Sequence, residues 1–546
     1  MKFLPCISVI FYIIIASTFH CTGQSWYWIG FTDKAGSPHS IHKPETFLSE
    51  RAIERRVRQN IPIDISDLPV SRIYVDSILR SGAILMHSSR WLNGITVQAL
   101  NESLYYQWKN LGFIREIQLT KPFNFPRKSL AVKFDAPAGY ASIDTSLYGA
   151  ASSQVGMLNG HLLHREGFRG EGMVIAVLDG GFKKANEMNS LRHLYEKGQI
   201  AGTRDFVEPA ADFYAQHEHG MNVLSVMGGN LPGQLVGTAP GASYWLIRTE
   251  DVGSEFIIEE DNWVAGAEFA DSVGADIINS SLGYSQYDYL TMSHTYARMD
   301  GKTTRVTRGA NMAAQKGMLV FNSAGNEGQK PWYYITAPSD GDAVISVGAV
   351  DKNRQPAAFS SRGPSYDGDV KPDLSAQGVA VTVQGSDGTI ITMSGTSFAS
   401  PLMAGMAACL WQANPDVSAA ELVRVMKISG HQSARPDTLT GYGIPDFYLA
   451  HTLLNQFHTT SDPLLKGWKI YPSPFRSDLN IQRMSGYPME ADIELQTLSG
   501  SRIAKTRMTS GSSFRTSHFA GLPPGIYLLK ITSGPYTETH KLMKTQ

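Results

Sequence analysis

The stretch Met393-Ser394-Gly395-Thr396-Ser397-Phe398-Ala399-Ser400-Pro401 runs straight into the mostly apolar residues 402–411. Small residues in a turn before an apolar run predict a loop that opens into a buried helix, with Ser397 at its mouth. A helix N-terminus offers unpaired N–H groups and a partial positive charge, which suit an oxyanion beside that hydroxyl. Because Pro401 lacks the N–H that would bond the Ser397 carbonyl, we expect a loosened first turn. A serine that only caps a core helix is the alternative, and the upstream residues decide between the two.

From about residue 151 to 455, short apolar runs alternate with helical segments. This pattern predicts a doubly wound α/β fold, in which helices cover both faces of a mostly parallel sheet. In such sheets the ligand site lies beyond the carboxyl ends of the strands. The predicted strands are 174–178, 244–247, 276–279, 318–321 and 344–347, and the predicted covering helices include 262–273 and 307–316.

Three polar residues occupy positions of this kind. Asp179 and Asn326 follow predicted strands, and His219 opens a further apolar helix. Each has an ordinary structural explanation when taken alone. Together with Ser397 they supply an acyl-transfer site: the imidazole takes the proton of the serine, a buried carboxylate orients the imidazole, and the amide helps to hold the oxyanion.

Four sequence blocks resemble those of the subtilisin family of serine peptidases. The resemblance spans about residues 170–450, and the chain order Asp, His, Ser is that of the family. It implies a serine endopeptidase that hydrolyses proteins or peptides through an acyl-enzyme on Ser397. The blocks are 174–182, His219-Gly220-x-x-Val223, Ser323-Ala324-Gly325-Asn326-Glu327-Gly328 and Gly395-Thr396-Ser397-x-Ala399-x-Pro401.

The resemblance also implies the residues of the site. Asp179, His219 and Ser397 are expected to be catalytic, and Asn326 is expected to hold the oxyanion. The segment Ser281-Leu282-Gly283 is expected to line the substrate cleft. The chemistry requires no cofactor, while a structural calcium ion is possible.

Several residues differ from the usual sequence pattern of this family, and others differ from the patterns of competing hydrolase families. Gly180 stands where the family usually has Ser or Thr. Met221 stands where it usually has Thr, and Asn222 where it usually has a second His. A catalytically impaired relative that serves as a surface binding protein therefore stays an alternative. The zinc-peptidase pattern that could begin at His217 needs a His at position 221, and the α/β-hydrolase elbow needs Gly where Ala399 stands.

The amino-terminal region predicts export and a precursor. Residues 1–24 combine one Lys with an apolar run, which is typical of a secretory signal peptide, although Cys21 leaves a lipoprotein as an alternative. Residues 25–125 predict a compact α+β domain, similar in size and pattern to a subtilase propeptide, with a retained structural domain as the alternative. Residues 126–150 predict a linker that contains the maturation cut. The cluster Arg51, Arg55, Arg56 and Arg58 predicts a solvated helix face.

The amino-acid composition limits the classes of binding partner that the protein can have. The formal net charge of −1 indicates no nucleic-acid partner, and no later run is long and apolar enough for a transmembrane segment in the mature chain. Loss of the signal peptide leaves Cys409 as a lone cysteine, which we expect to be a packing residue. The acidic residues of 250–261 predict a solvated face, with preference for basic substrates or calcium binding as alternatives.

The carboxyl-terminal region predicts how the protein leaves the cell. Residues 456–466 form a predicted linker, and 467–546 predict a small β-sandwich from short alternating strands. This part resembles the sorting domain of the type IX (Por) secretion system, with a substrate-binding β-module as the alternative. The resemblance implies a Gram-negative cell, passage across the outer membrane by that machinery, and a secreted or surface location.

Overall fold

The computed structural model describes residues 24–123, 137–140, 147–459, 468–472, 475–483, 490–497, 501–509, 513–516, 519–534 and 536–545. The predicted signal peptide lies outside these residues except for Gln24. So do large parts of the two predicted linkers, namely 126–136, 141–146 and 460–466.

The first part is an α+β unit built on a four-stranded antiparallel sheet in the order β2-β3-β1-β4. Alternate residues of the first strand, Tyr27, Ile29 and Phe31, are buried with Trp108 in its core. The last strand, Ile114–Lys121, was not predicted. The elements are β1 (Ser25–Phe31), α1 (Glu50–Arg58), α2 (Arg72–Leu79), β2 (Ile84–Ser89), β3 (Gly94–Ala99), α3 (Ser103–Trp108) and β4 (Ile114–Lys121).

The second part carries most of the chain. Its elements are β5 (Pro137–Tyr140), α4 (Ser152–Gly156), α5 (Gly160–Arg165), β6 (Val174–Asp179), α6 (Arg192–Glu196), β7 (Ile200–Asp205), α7 (His219–Gly228), β8 (Asn230–Leu231), β9 (Leu235–Val236), β10 (Ser243–Arg248), α8 (Ile258–Ser272), β11 (Ile277–Ser280), α9 (Arg305–Gln315), β12 (Leu319–Ser323), β13 (Ile345–Val350), β14 (Leu374–Gln377), β15 (Val381–Gln384), β16 (Ile390–Met393), α10 (Thr396–Ala413), α11 (Ala419–Ile428) and α12 (Phe447–Thr459).

A seven-stranded parallel sheet organises this part, in the order β14-β13-β12-β11-β6-β10-β7. Strand β6 is apolar up to its last residue, Asp179, because both of its faces are covered. Ile175 and Val177 belong to the core that contains α7 and α10, whereas Ala176 and Leu178 belong to the core that contains α8 and α9. The predicted doubly wound fold is therefore confirmed. As expected for a packing residue, Cys409 is buried in α10, and burial raises the pKa of its thiol.

The arginine cluster on α1 corrects the sequence analysis. Arg55 and Arg56 are each 1% exposed, and both pair with Asp271 on α8 of the second part. Arg56 also pairs with Asp67. The prediction of a solvated face was wrong for these two residues, because a buried guanidinium needs carboxylate and carbonyl partners and α8 supplies them.

The predicted linker 126–150 also contains structure. Backbone pairing joins β5 to β16, the strand that leads into α10, with Tyr140 opposite Ile391 and Gly139 opposite Thr392. Pro137–Tyr140 of the predicted linker therefore form a strand that the sequence pattern did not indicate. An extended segment can pair with an exposed strand edge whatever its own composition.

The third part is a small β-sandwich. A three-stranded antiparallel sheet in the order β17-β18-β21 shares one core with a four-stranded antiparallel sheet in the order β20-β19-β22-β23. The sandwich prediction is confirmed, although β20 and β21 were missed. The strands are β17 (Trp468–Tyr471), β18 (Leu479–Arg483), β19 (Ala491–Gln496), β20 (Arg502–Met508), β21 (Ser513–Thr516), β22 (Gly525–Ser533) and β23 (Tyr536–Lys544). Among the described residues of the whole chain, no helix combines the length and apolar character needed to cross a bilayer.

Candidate active site

The site lies at the carboxyl edge of the parallel sheet. Asp179 is the last residue of β6, where the register places it beside Arg248 of β10. On the other side of β6, Ser280 ends β11 beside Leu178. The segments that follow β10 and β11 therefore flank the end of β6, as expected for a ligand site in a doubly wound sheet.

Asp179 and His219 form a buried hydrogen-bonded pair. The imidazole Nδ1 lies 2.8 Å from Oδ1 and 3.0 Å from Oδ2 of the carboxylate, and both side chains are almost fully buried. The N–H of Gly180 donates to Oδ1 at 2.7 Å. Because Nδ1 donates to the carboxylate, Nε2 is the ring nitrogen with a lone pair for a proton.

Helix α7 holds the imidazole in place. His219 is its first residue, and the backbone N–H of His219 donates to Nδ1 of His217 at 3.1 Å. Burial lowers the pKa of His217, which keeps that ring neutral and able to accept. This helix-start contact was not predicted; the His217-Glu218-His219 pattern suggested only a zinc ligand at His217.

Ser397 lies in the first turn of α10. It is 7% exposed, and the ring of its neighbour Phe398 lies 5.8 Å from the His219 ring, measured between centroids. The Ser397 hydroxyl lies 3.4 Å from the carbonyl oxygen of Ser281. In return, the hydroxyl of Ser281 donates at 2.8 Å to the Ser397 carbonyl, the group whose helical donor Pro401 removes.

Asn326 is held at the start of the same helix. Its side-chain carbonyl accepts from the N–H of Thr396 at 3.0 Å and from the Thr396 hydroxyl at 2.9 Å. The N–H of Gly325 donates to that hydroxyl at 3.2 Å. With the oxygen of Asn326 fixed in this way, the NH₂ group is the end that can donate to an oxyanion.

The segment Ser281-Leu282-Gly283 follows β11. Its carbonyl at Leu282 accepts from the side chain of Asn322 at 2.9 Å, while Gly283 is exposed. A Cβ on Gly283 would lie 2.2 Å from the Thr336 hydroxyl, so this position requires glycine. Substrate binding by the segment stays a prediction.

The residues that depart from the family pattern are accommodated in the packing. Met221 is fully buried in the core below α7. Asn222 donates from its side-chain amide to the carbonyl of Gln384 at 2.6 Å, which ties α7 to β15. Both positions therefore support the helix that carries His219.

The acidic run after β10 is mostly buried, so the prediction of a solvated face was wrong. Glu250, Glu259, Glu260 and Asp261 are at most 4% exposed. Glu250, Glu260 and Asp261 have partners from other segments, which the local sequence could not indicate. Tyr284 donates to Glu250, Tyr287 and His294 contact Glu260 at 2.5 and 2.7 Å, and Arg305 pairs with Asp261 at 2.6 Å.

Three carboxylates of this run lie together. Ligand oxygens of Glu250, Glu255 and Glu259 are all within 4.8 Å of one another among the described residues. Carboxylate oxygen is the donor type that Ca²⁺ prefers, so these residues fit the calcium ion that the sequence analysis considered. Calcium binding stays a prediction.

Comparison with protein families gives three matches along the chain. The model of the subtilase family matches residues 170–443, half of the 546-residue chain. The model of the peptidase S8 propeptide domain of Bacteroidota matches residues 26–134. The model of the secretion system C-terminal sorting domain matches residues 469–545.

Curated relatives include several bacterial proteases. Serine protease AprX of Bacillus subtilis is 30% identical over 316 residues, which cover 53% of this chain and 66% of AprX. The thermostable alkaline protease of Halalkalibacterium halodurans is 28% identical over 255 residues, covering 46% of this chain and 61% of that protein. The chain thus spans less than two thirds of the length of these two relatives. Subtilisin E of Bacillus subtilis is 27% identical over 292 residues, which cover 52% of this chain and 68% of subtilisin E.

Among solved structures, MycP1 from Mycobacterium smegmatis aligns with a TM-score of 0.43 at 20% identity. The alignment covers 60% of this chain and 92% of that one.

Proposed function

The chain belongs to the subtilase family of serine peptidases, and from this premise we propose that it is a secreted serine endopeptidase that acts through an acyl-enzyme on Ser397. The observation that carries the proposal is the buried Asp179–His219 pair, with Nδ1 2.8 Å from the carboxylate and the imidazole ring against Phe398. A neutral imidazole oriented by a buried carboxylate is what a serine nucleophile needs as its base.

In the proposed reaction, the Ser397 hydroxyl attacks the carbonyl carbon of a peptide bond and its proton passes to Nε2 of His219. Asp179 stabilises the imidazolium that forms. The C–N bond then breaks as His219 gives this proton to the leaving amine. Water attacks the acyl-enzyme by the same proton route and releases the acid and Ser397.

The developing oxyanion would be held by two donors, the side-chain amide of Asn326 and the backbone N–H of Ser397. Supporting this role, the carbonyl end of Asn326 is already fixed by Thr396. Donors that need no rearrangement stabilise charge most effectively in a site that excludes water. These steps involve no organic cofactor.

We further propose the organisation of the precursor. Residues 1–24 are the signal peptide, 25–125 the propeptide, 126–150 the maturation region, 151–455 the peptidase, 456–466 a linker and 467–546 the sorting domain. The family matches to a propeptide and to a sorting domain support this arrangement. The sorting domain would engage type IX machinery, and the enzyme would act on proteins or peptides outside the cell or at its surface.

A fluorophosphonate probe tests the proposed chemistry, because it reacts only with an activated serine. We expect the purified protein to be labelled and Ser397→Ala to be unlabelled. Ser400→Ala is the matched control: Ser400 lies one turn further along α10 and donates to Asn279 at 2.9 Å, so labelling should persist. An unlabelled wild-type protein of native fold would instead favour a surface binding protein.

A further inference from the structure

Lys121, the last residue of β4, reaches from the propeptide into the peptidase. Its ammonium lies 3.3 Å from Oδ2 of Asp251 and 3.2 Å from the hydroxyl of Ser254. It also lies over the rings of Phe256 at 5.4 Å and Trp26 at 5.5 Å. The Lys121 side chain is 24% exposed and that of Asp251 is 17% exposed, so the contact is largely shielded from water.

The group that receives Lys121 is built by the peptidase itself. Asp251 accepts from the N–H of Gly253 at 3.1 Å and from the hydroxyl of Ser254 at 2.8 Å. The two carboxylate oxygens of Glu259 accept from the N–H groups of Asp251 at 2.9 Å and Phe256 at 3.4 Å. Because these bonds do not involve Lys121, we expect the loop to keep its shape when the propeptide leaves.

The electrostatics of this loop suit a cation. Asp251 presents its Oδ2 to the Lys121 ammonium, while its Oδ1 is held by the Gly253 N–H. An aromatic face beside it adds a cation–π contribution.

The loop lies at the same sheet edge as the proposed catalytic pair. The backbone N–H of Thr249 donates to the carbonyl of Asp179 at 3.0 Å, and Asp251 follows two residues later. The next described residues after Phe123 are those of β5, which pairs with β16 just before Ser397. Any cut that frees the propeptide from the peptidase must fall after Lys121, so this lysine lies on the amino-terminal side of the bond that is cut.

We propose that Asp251, Ser254 and Phe256 form a substrate subsite for a Lys or Arg side chain on the amino-terminal side of the scissile bond. In the precursor, Lys121 occupies this subsite. The inference rests on the proposed peptidase function and deepens it, because it assigns the mature enzyme a preference for substrates with a basic residue upstream of the cut. A long, flexible cationic side chain fits a carboxylate and hydroxyl that lie beside an aromatic ring.

A lysine-walk experiment on the full-length protein, allowed to mature, tests the subsite. A neutral peptide with one cleavage site serves as the parent, and a single Lys is moved through each of the eight positions before the cut. We expect one position to raise kcat/KM about tenfold over the parent, the size typical of a shielded charge pair. This gain should shrink at high salt.

Variants separate the subsite from general effects. Asp251→Asn should reduce the ratio of kcat/KM for the Lys and parent peptides to near one, and Asp251→Lys should favour a Glu peptide at the same position. Glu196→Gln, an exposed acid on α6, is the control and should keep the wild-type ratio. Fluorophosphonate labelling of Ser397 reports whether each variant has folded.

The outcomes distinguish the two proposals. Cleavage of the parent peptide with no gain from Lys at any position would overturn the subsite and leave the peptidase function intact. A gain that persists in folded, labelled Asp251→Asn would also overturn it. Absence of labelling and of all cleavage in the wild-type protein would overturn both proposals.

Discussion

At the scale of single residues, Pro401 and Ser281 act together on the proposed nucleophile. Pro401 removes the N–H that would satisfy the Ser397 carbonyl, and the Ser281 hydroxyl replaces it at 2.8 Å. A buried carbonyl without a donor would cost about 1–3 kcal/mol. This hydrogen bond links the segment after β11 directly to the first turn of α10. The predicted substrate-binding segment and the proposed nucleophile are therefore fixed relative to each other.

Thr396 provides a prediction at the same scale. Its hydroxyl donates to Asn326 at 2.9 Å and accepts from the Gly325 N–H at 3.2 Å, so it positions the proposed oxyanion donor. We expect Thr396→Val to lower kcat by about tenfold and leave KM nearly unchanged, since the loss falls on the transition state. Steady-state kinetics on one peptide measure both constants. Thr396→Ser retains the hydroxyl and should stay close to wild type; equal losses in both variants would contradict the positioning role.

At the scale of elements, the site depends on how closely α7 approaches β6. The N–H of Gly220, the second residue of α7, donates to the carbonyl of Gly181 at 2.9 Å. A Cβ at position 220 would lie 2.5 Å from that carbonyl oxygen and 2.9 Å from the Cβ of Asp179. Only glycine lets the helix bring His219 within hydrogen-bonding distance of Asp179.

Gly220→Ala should therefore push α7 away from β6 and weaken the Asp179–His219 pair. We expect kcat to fall by at least about tenfold and the melting temperature to drop, as overpacking in a core typically costs about 1–3 kcal/mol. Gly228→Ala tests the other end of the same helix, where the nearest atom is the end of the Leu194 side chain at 2.9 Å. That flexible neighbour can move, so the control should keep most of its activity. Similar losses of kcat in both variants would argue against a specific effect on the pair.

At the scale of the whole molecule, a buried charge network joins the propeptide to the peptidase. Three propeptide arginines, Arg55, Arg56 and Arg90, converge on the carboxylate of Asp271 on α8. Burial alone would raise the pKa of Asp271, but the charges of these arginines outweigh it and lower the pKa to about 2. The three arginines are therefore held by the ionised form of one carboxylate.

The sign of the pH dependence follows from the loss of these arginines when the two parts separate. Asp271 then regains a pKa near its ordinary value, about 3.9, so the separated form binds more protons between about pH 4 and pH 2. The stabilisation is nearly complete above about pH 5 and is lost as the pH falls toward 2, with a size of about 2 kcal/mol. We expect the melting temperature of uncut Ser397→Ala precursor to fall between pH 5 and pH 3.

A second substitution separates the contribution of Asp271 to the pH dependence from that of the other carboxylates. In the same precursor, Asp271→Asn should lower stability at pH 5 and make the further drop to pH 3 smaller. Asp76→Asn, a half-exposed carboxylate on α2, should leave the drop unchanged. An identical pH dependence with and without Asp271 would refute the assignment.

The local pattern was sufficient for five strands of the seven-stranded sheet and for the residues at its edge, but not for β7 and β14. Runs such as 174–178 are apolar throughout because strands covered on both faces must be, and Asp179 is conspicuous as a carboxylate directly after such a run. The segments that carry Asp179, His219, Asn326 and Ser397 were placed at strand ends and helix starts, where the structure has them. Strands β4 and β20 were missed because polar, partly exposed strands carry a weak periodic signal.

Local pattern could not predict which charges are buried. Arg55 and Asp271 are 216 residues apart in the chain, and nothing near either residue indicates its partner. The acidic run after β10 was likewise expected to be solvated, whereas distant Tyr, His and Arg side chains enclose it. The amino-acid sequence alone determined the type of fold and the chemical groups of the site, because these depend on short-range periodicity and residue type. Only the tertiary structure decided which buried charges pair with each other and that Lys121 contacts Asp251. The reason is that desolvated charges are stabilised by partners that folding brings from elsewhere in the chain.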